Sequence, residues 1–267
     1  MPFDIISSLE VHMNTFRVGV QLHPQHTTYA SIAEAARRLD GMGVDSLWVW
    51  DHFYPLYGDP QGAHFEAYTL LAALAAQTSH AELGIMVTCN SYRNPNLLAD
   101  MIRTIDHISH GRAILGLGSG WFEHDYQEYG YEFGTAIGRL KALQVALPVI
   151  LERLGKLNPP PVRQPLPLLI GGGGEKVTLR LVAKYASMWN IIAEPADVRR
   201  KNNLLTQYCQ ELGRDPAEIE RSVVLLDKDP MQRLSEYVDA GMTHLIAGMG
   251  EPWNFAGVEK LLAWRDR

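Results

Sequence analysis

Short apolar runs and longer helical patterns alternate along nearly the whole 267-residue chain, and this alternation restricts the possible folds more than any other feature. No Pro- or Ser-rich linker separates any two of the repeated units. Strict strand–helix alternation predicts a parallel sheet with helices outside it. The eight predicted strands lie at 16–22, 46–50, 83–88, 113–117, 168–170, 189–192, 222–226 and 243–247.

Eight such units in one domain of this size are typical of a closed (β/α)8 barrel. We therefore predict a single-domain α/β TIM barrel over residues 13–267, with a doubly wound sheet carrying extra helices as the alternative. A hydrophobic content of 46 % is sufficient for one large core. Residues 1–12 match no element of the pattern, and we predict that they form a loosely attached leader.

Net charge and cysteine content exclude some classes of partner and indicate the cellular compartment. The formal net charge of −6 argues against a nucleic-acid partner. Cys89 and Cys209 form neither a metal-binding spacing nor a disulfide framework, which indicates a reducing compartment and predicts a cytoplasmic location. No apolar run approaches the roughly 20 residues of a membrane span. The expected partner is a small-molecule substrate, with no nucleic acid, membrane or metal involved.

A titratable pair ends the second predicted strand. Residues 47–50 are continuously apolar, as in a strand that is covered on both faces, and Asp51 and His52 follow directly. Barrel enzymes carry their chemistry at the C-terminal ends of such strands. An imidazole is well suited to proton transfer near neutral pH, and a neighbouring carboxylate can hold its tautomer. The alternative is a histidine that is simply hydrogen-bonded or solvated at a strand end.

Two glycine-rich loops follow later strands. Residues 171–174 are four glycines between the fifth strand and a helix predicted to open at Glu175, an arrangement that exposes backbone N–H groups to an anion. The loop matches neither the P-loop nor the dinucleotide fingerprint. Residues 116–121 follow the fourth strand, where glycines would let a flat ligand approach and Trp121 could stack on it. Tight turns or steric crowding explain such glycines equally well.

Several further polar groups lie near these motifs in the sequence. The end of strand three supplies hydrogen-bonding groups and the cation of Arg93, whereas Cys89 has no evident base nearby and is predicted to be a small buried residue. Residues 123–125, Glu-His-Asp, are candidate acids and bases, although a polar run at a helix start is usually a cap and a solvated face. Residues 199–201, Arg-Arg-Lys, are predicted to form a solvated helix face, with contact to an anionic ligand tail as the alternative.

Taken together, these segments resemble the luciferase-like flavin and deazaflavin oxidoreductase superfamily. Within it, the chain is most similar to the branch of actinobacterial enzymes that use the deazaflavin coenzyme F(420). The resemblance runs from about Phe16 to the C-terminus. It rests on Val18-Gly19-Val20-Gln21-Leu22, Trp50-Asp51-His52, Val87-Thr88, Arg93-Asn94-Pro95, residues 116–121, residues 171–175 and residues 186–190.

The resemblance implies a ring bound at the C-terminal mouth of the barrel. A histidine at the position of His52 is the proton-transfer group in a related sugar-phosphate dehydrogenase, which implies the same role for His52. Asp51 is then expected to orient His52 or to hydrogen-bond the coenzyme. Strand three there carries a bulge with a non-proline cis peptide behind the ring. The implied coenzyme-binding residues are Asp51, Met86, Val87, Thr88, Asn90, Gly118, Gly120, Trp121, Gly172, Gly173 and Gly174, the last two for the phosphate.

The chain also departs from that dehydrogenase. The dehydrogenase has a glutamate acid directly after the glycine loop of strand four, where this chain has Trp121, with Glu123 two residues later as the candidate acid. A lysine beyond strand six is replaced by residues 193–195, Ala-Glu-Pro. The large insertions of the true luciferases are absent. These differences argue against both a sugar-phosphate dehydrogenase and a long-chain aldehyde monooxygenase.

The resulting functional prediction is an oxidoreductase that transfers a hydride between coenzyme F(420) and a small organic substrate. Its catalytic residues would be His52, Asp51 and Glu123. An FMN-dependent monooxygenase of the same superfamily and a non-catalytic flavin-binding barrel are the alternatives. Lys176 and Arg180 could meet the anionic tail of the coenzyme. Family members are commonly dimers, which predicts a homodimer.

Overall fold

The chain folds into a closed, parallel, eight-stranded barrel. The computed structural model describes residues 16–225 and 231–267, so the leader predicted at residues 1–12 lies outside the described residues. The strands are β1 Arg17–Leu22, β2 Ser46–Val49, β3 Glu82–Ile85, β4 Thr88–Cys89, β5 Ala113–Gly118, β6 Leu168–Gly171, β7 Met188–Ile191, β8 Glu220–Leu225 and β9 His244–Met249.

Closure of the barrel follows from the strand pairing. Strand β1 pairs in parallel with both β2 and β9, and each later strand pairs with its neighbour, so the sheet has no free edge. Strands β3 and β4 are the two halves of the third barrel strand, and both pair with β5. The predicted (β/α)8 barrel is therefore confirmed, and the doubly wound sheet is excluded.

Helices follow the strands in the predicted alternation. Two details differ from the prediction, because residues 123–129 form a separate short helix and the helix after the glycine run begins at Thr178 rather than at Glu175. Residues 175–177 form a turn instead, in which the Leu179 N–H donates to the Gly174 carbonyl at 3.0 Å. The helices are α1 Tyr29–Gly41, α2 Ala67–Gln77, α3 Pro95–Ile108, α4 Glu123–Tyr129, α5 Ala136–Leu154, α6 Thr178–Tyr185, α7 Pro195–Glu211, α8 Met231–Asp239 and α9 Phe255–Arg265.

The barrel interior is layered. Apolar side chains, among them Trp48, Ile114 and Leu169, fill its middle. Below them, toward the N-terminal ends of the strands, His244 is fully buried and pairs with Glu220. Gly19 makes room for this pair, because a Cβ there would lie 2.8 Å from His244 Nε2. The packed interior leaves the C-terminal end of the barrel as the place for a site.

No helix within the described ranges has both the length and the apolar character that crossing a membrane requires.

Candidate active site

A cavity of about 480 Å³ opens at the C-terminal ends of the strands. Its volume lies within the usual range of ligand pockets, about 300–1,000 Å³. Most of the predicted site residues line it, namely Asp51, His52, Met86, Val87, Gly118, Gly120, Trp121, Gly172 and Gly173. The structure does not place the remaining four on its wall: Thr88, Asn90, Glu123 and Gly174. The cavity therefore joins segments that are far apart in the sequence into one site.

The interrupted third strand forms one wall of the cavity. The peptide between Met86 and Val87 is cis, as the resemblance implied. Gln21 supports this bulge by donating from its side-chain amide to the Met86 carbonyl at 2.8 Å. Val87 fills the space between two glycines, because a Cβ at Gly171 would lie 2.7 Å from Val87 Cγ1, and one at Gly118 would also overlap with Val87. These two glycines are thus explained by packing against the bulge.

Two predicted residues lie behind this wall. The Thr88 side chain is fully buried, and its hydroxyl is 2.8 Å from the hydroxyl of Tyr68. The Asn90 backbone N–H donates to the Gly118 carbonyl at 3.0 Å. Cys89 does line the cavity, but burial raises the pKa of its thiol, so it is protonated at neutral pH. These residues hold the bulge against the neighbouring strand.

The Asp51 carboxylate is held by an arginine. Arg93 binds it in a bidentate manner, with Nη1–Oδ2 and Nη2–Oδ1 distances of 2.6 and 2.9 Å, and the Cys89 N–H donates to Oδ2 at 2.9 Å. Burial alone would lower the pKa of Arg93, but the charge of Asp51 raises it above its ordinary value. The interpretation that Asp51 orients His52 is wrong, since these partners engage both carboxylate oxygens.

The carboxylate that contacts His52 comes from Asp125 on helix α4. The distance between His52 Nδ1 and Asp125 Oδ2 is 2.8 Å. Asp125 is fully buried, so the prediction that residues 123–125 form a solvated face is wrong for this residue. The His52 side chain is 12 % exposed, and no described residue hydrogen-bonds to its Nε2. This nitrogen is therefore available for proton exchange at the cavity.

Aromatic rings enclose the imidazole. The edges of Trp121 and Phe122 approach the His52 ring, at centroid distances of 5.6 and 5.3 Å. The Trp50 ring is also near, at a centroid distance of 6.4 Å from His52, and its indole N–H donates to His64 Nε2 at 2.9 Å. Burial, together with the nearby His52, lowers the pKa of His64 to about 4. His64 is therefore neutral at physiological pH and does not compete with His52 as a proton donor.

Lys201 and the glycine run form a cationic corner of the cavity. A Cβ at Gly173 would lie 2.7 Å from Lys201 Nζ, so this glycine leaves the ammonium group in contact with the loop. Lys201 forms no ion pair with any residue that the structure describes, whereas its neighbour Arg200 pairs with Glu175. The prediction that residues 199–201 form a solvated face is wrong for Lys201. Gly174 is exposed, and a Cβ there would lie 2.7 Å from Thr178 Oγ1.

A signal for Lys201 was present in the sequence. It lies three residues after Val198 and four before Leu205, and both are on the buried face of α7. Residues at this spacing share a helix face. Of the two residues named as candidates for an anionic tail, Arg180 pairs with Glu211 at 2.9 Å, and Lys176 is exposed.

Two amide oxygens also face the cavity. The Gln21 amide group is oriented by its bond to the Met86 carbonyl. The Asn190 amide donates to Ser222 Oγ at 3.0 Å, while that hydroxyl donates to the Trp189 carbonyl. Both side chains line the cavity, and their carbonyl oxygens have no hydrogen-bond partner in residues 16–225 and 231–267. The cavity thus offers two acceptors for N–H groups of a ligand.

With this geometry in place, comparison with known proteins identifies the family. A family model described as luciferase-like monooxygenase matches residues 11–249. The chain belongs to this family. The predicted resemblance is confirmed, and the chain is a luciferase-like oxidoreductase.

One curated relative is the phthiodiolone/phenolphthiodiolone dimycocerosates ketoreductase of Mycobacterium tuberculosis. It is 28 % identical over 258 residues, which cover 82 % of this chain and 67 % of that protein.

Solved structures of the luciferase-like fold include enzymes with different cofactors. An F(420)-dependent secondary alcohol dehydrogenase in complex with an F(420)–acetone adduct has a TM-score of 0.79 at 18 % identity, covering 90 % of this chain and 96 % of that one. The coenzyme F(420)-dependent tetrahydromethanopterin reductase from Methanopyrus kandleri has a TM-score of 0.72 at 18 % identity, covering 88 % and 94 %. An FMN complex of a type II Baeyer–Villiger monooxygenase from Pseudomonas putida has a TM-score of 0.65 at 17 % identity, covering 79 % and 66 %. At these identities the likeness shows the fold alone.

Proposed function

We propose that the protein is an oxidoreductase that transfers a hydride between the deazaflavin coenzyme F(420) and a small organic substrate. The observation that carries the proposal is the cavity itself, which is lined by His52, Lys201 and the bulge at Met86–Val87. Among the described residues, His52 Nε2 has no hydrogen-bond partner and Lys201 has no ion pair. Two similar structures are named as F(420)-dependent enzymes, and a curated relative is named as a ketoreductase.

The residues present fit a ring with polar edge groups and a phosphate. The bulge supplies a rigid apolar wall, and the carbonyl oxygens of Gln21 and Asn190 are available to N–H groups on such a ring. Lys201 lies over Gly173, where an anion would gain a charge-assisted hydrogen bond. Because a charged hydrogen bond is stronger than a neutral one, we assign the phosphate to this corner.

The protein's contribution is orientation, proton exchange and exclusion of water. The bound coenzyme supplies the hydride chemistry. His52 Nε2 donates a proton to the substrate oxygen when a carbonyl is reduced and accepts it when an alcohol is oxidised. Trp121 and Phe122 cover the imidazole from one side. Glu123 is exposed and does not line the cavity, so we assign the proton-transfer role to His52 alone.

Asp51 has a supporting part in this proposal. Its carboxylate forms a buried pair with Arg93, and Asp51 is the residue before His52 in the chain. Arg93 also binds Glu66 at 2.6 Å. The pair links the end of β2 to the segment after β4. It therefore keeps the wall on which the coenzyme would rest in a fixed position relative to His52.

Equilibrium titration of the purified protein with coenzyme F(420) and with FMN tests the proposal. We expect tighter binding of coenzyme F(420), because its longer anionic tail can reach exposed cations such as Lys176 beyond the glycine run. The preference should shrink as salt rises, since exposed charges are screened. Tighter binding of FMN, or purification with yellow FMN already bound, would assign the protein to the monooxygenase alternative.

A second measurement separates an enzyme from a non-catalytic binding protein. Reduced coenzyme F(420) is mixed with a series of ketones and aldehydes, and oxidation of the coenzyme is followed by its absorbance. Turnover with at least one carbonyl class supports the proposal. Tight coenzyme binding without hydride exchange across the series would favour the non-catalytic barrel.

A further inference from the structure

The carboxylate beside His52 carries a more specific inference, which rests on the proposed function. We propose that Asp125 is a positioning residue that fixes the tautomer and the orientation of His52, so that only Nε2 exchanges a proton at the cavity. The two residues are 73 positions apart in the chain, and their side chains meet at 2.8 Å because helix α4 lies against the loop after β2.

Asp125 is itself held in place from several directions. Its Oδ1 accepts hydrogen bonds from the backbone N–H groups of Phe53 and Tyr54, at 3.1 and 3.2 Å. Its Oδ2 accepts one from the Tyr92 hydroxyl at 3.0 Å in addition to the contact with His52. The carboxylate cannot rotate away from the imidazole without breaking these bonds. The position of His52 is thus determined by a rigid and fully buried group.

This arrangement selects one tautomer. An ionised carboxylate is only an acceptor, so the hydrogen atom of the His52–Asp125 bond must be on Nδ1. In the neutral ring, Nε2 then carries a lone pair that can take a proton from a substrate hydroxyl. When Nε2 takes up a proton, Nδ1 keeps its hydrogen bond to Asp125, so the ring holds the same orientation, as the histidine of a serine-protease triad does.

The neighbouring acidic side chains do not fill this role. Asp51 is bound by Arg93 and the Cys89 N–H, and Glu123 is exposed. The Tyr92 hydroxyl contacts the same carboxylate oxygen but donates to it, and burial raises the pKa of Tyr92, so this hydroxyl stays protonated. Among the described residues, Asp125 is therefore the group that can accept the Nδ1 proton.

Nitrogen NMR of the protein labelled with ¹⁵N-histidine tests the tautomer without any change at Asp125. The His52 signal is assigned by its loss in His52→Gln. The expected result for neutral His52 is a protonated Nδ1 and an unprotonated Nε2. The opposite tautomer would overturn the proposal, and this readout does not depend on which cofactor binds or on whether His52 takes part in turnover.

A matched pair of carboxylate-to-amide changes separates positioning from structural support. Asp106 is also fully buried and accepts a backbone N–H from Arg163 at 3.1 Å, but it has no histidine partner among the described residues. We expect Asp125→Asn to lower kcat by about 10²–10³ with KM and coenzyme affinity within about threefold, because the amide can donate to Nδ1 and so favours the wrong tautomer. Asp106→Asn should leave kcat unchanged.

The conservative change completes the experiment. Asp125→Glu keeps the carboxylate and is expected to recover part of the lost kcat, together with the Nδ1-protonated signal. Equal activity losses in the Asp125 and Asp106 amide variants would show that Asp125 acts only through folding and would overturn the proposal. If His52→Gln is fully active while the expected tautomer is observed, the proposed function fails and the assignment of Asp125 as the tautomer-fixing group stands.

Discussion

The two ends of the barrel each contain a histidine paired with a carboxylate, and the two pairs differ in what happens at the second ring nitrogen. At the C-terminal end, His52 Nδ1 is 2.8 Å from Asp125. At the N-terminal end, His244 Nδ1 is 2.6 Å from Glu220, and its Nε2 is 2.8 Å from the Ser46 hydroxyl. His244 is fully buried with both nitrogens bonded, whereas His52 lines a cavity and its Nε2 has no hydrogen-bond partner in the part of the chain that the structure describes.

The comparison shows that a histidine–carboxylate pair is not by itself a functional site. The Ser46 hydroxyl beside His244 also accepts the Trp48 indole N–H at 2.7 Å. The His244–Glu220 pair at the N-terminal end, the lower pair, is therefore part of a closed hydrogen-bond network inside the barrel. A satisfied buried network stabilises one packing arrangement. Chemistry requires a group that has no protein partner and is open to a ligand. Of the two pairs, the one at the C-terminal end has such a group, as far as residues 16–225 and 231–267 show.

The largest expected effect is a loss of turnover in His52→Gln. This change keeps a polar side chain of similar size but removes the group that exchanges a proton near neutral pH, so kcat should fall by about 10²–10⁴. Coenzyme affinity and the free energy of unfolding should remain close to those of the parent. The measurements are steady-state turnover, coenzyme titration and urea denaturation.

The matched variant at the other end is His244→Gln, for which the opposite pattern is expected. Removing the imidazole should lower the free energy of unfolding by about 1–3 kcal/mol, because the Glu220 carboxylate and the buried Ser46 hydroxyl each lose a hydrogen-bond partner, while the Glu220–Arg17 ion pair remains. Activity per folded molecule should be unchanged. A fully active His52→Gln protein, or a His244→Gln protein that loses turnover without losing stability, would break the distinction between the two ends.

The lower end should also control the acid stability of the barrel. Burial alone would raise the pKa of Glu220, but its bond to His244 and the charge of Arg17 lower it to about 2. A carboxyl whose pKa is depressed in the folded state stabilises the fold above its unfolded pKa, near 4.3, and this contribution is lost as the pH falls toward 2. The loss amounts to about 3 kcal/mol.

Urea denaturation between pH 5 and pH 3 checks this expectation. The parent should lose stability more steeply with falling pH than Glu220→Gln, which lacks the titrating group. A control is Glu152→Gln, since Glu152 is an exposed residue on α5 paired only with Lys156 in the described part of the chain. Parallel curves for the parent and Glu220→Gln would contradict the assignment of acid sensitivity to the lower pair.

At the C-terminal end of the barrel, Lys201→Met should weaken coenzyme binding by roughly 10–150-fold. A hydrogen bond to a charged group is worth about 1.5–3 kcal/mol, and the variant removes the ammonium while keeping an apolar stem of similar length. This variant tests phosphate binding at the cationic corner more directly than a valine at Gly173 or Gly174 would. A Cβ at either glycine would also collide with a neighbouring side chain, Lys201 or Thr178.

The control for this variant is Lys260→Met, which makes the same change in net charge on the exposed surface of α9. Its coenzyme affinity should match that of the parent at every salt concentration. Equal coenzyme affinities for the Lys201→Met and parent proteins would contradict the assignment of Lys201 as a phosphate-binding residue.

The sequence predicted the barrel because strand–helix alternation is a local signal, repeated along the chain. It also predicted that the ends of β2, β4, β5 and β6 converge, since parallel strands end on the same side of a barrel. It failed in assigning partners. Asp51 and His52 are adjacent in the chain, but the Asp51 carboxylate binds Arg93 and the His52 ring binds Asp125, so adjacency did not make them partners.

The true partner, Asp125, lies on a helix that the alternation pattern did not include. Tertiary contacts over 73 residues leave no local signature in a single sequence, so the His52–Asp125 pair could not be predicted. Lys201 is a different case, because its spacing from Val198 and Leu205 placed it on the buried face of α7. The run of three basic residues concealed this signal, since such runs are usually solvated.

The smallest expected effect concerns Trp121, which is 63 % exposed although it lines the cavity. An exposed side chain contributes little to folding, so Trp121→Ala should change stability by less than about 0.5 kcal/mol. Contact of an aromatic ring with the bound coenzyme would be worth about 0.5–1.5 kcal/mol, which corresponds to a roughly 2–13-fold loss of affinity.

Leu212→Ala is the control, because Leu212 is 55 % exposed and lies outside the cavity. Coenzyme titration and thermal unfolding of both variants compare the two surfaces directly. A Trp121→Ala protein with parental coenzyme affinity would show that this indole covers the site without contacting the coenzyme, and would leave the bulge, Lys201 and the two amide oxygens as the groups that hold it.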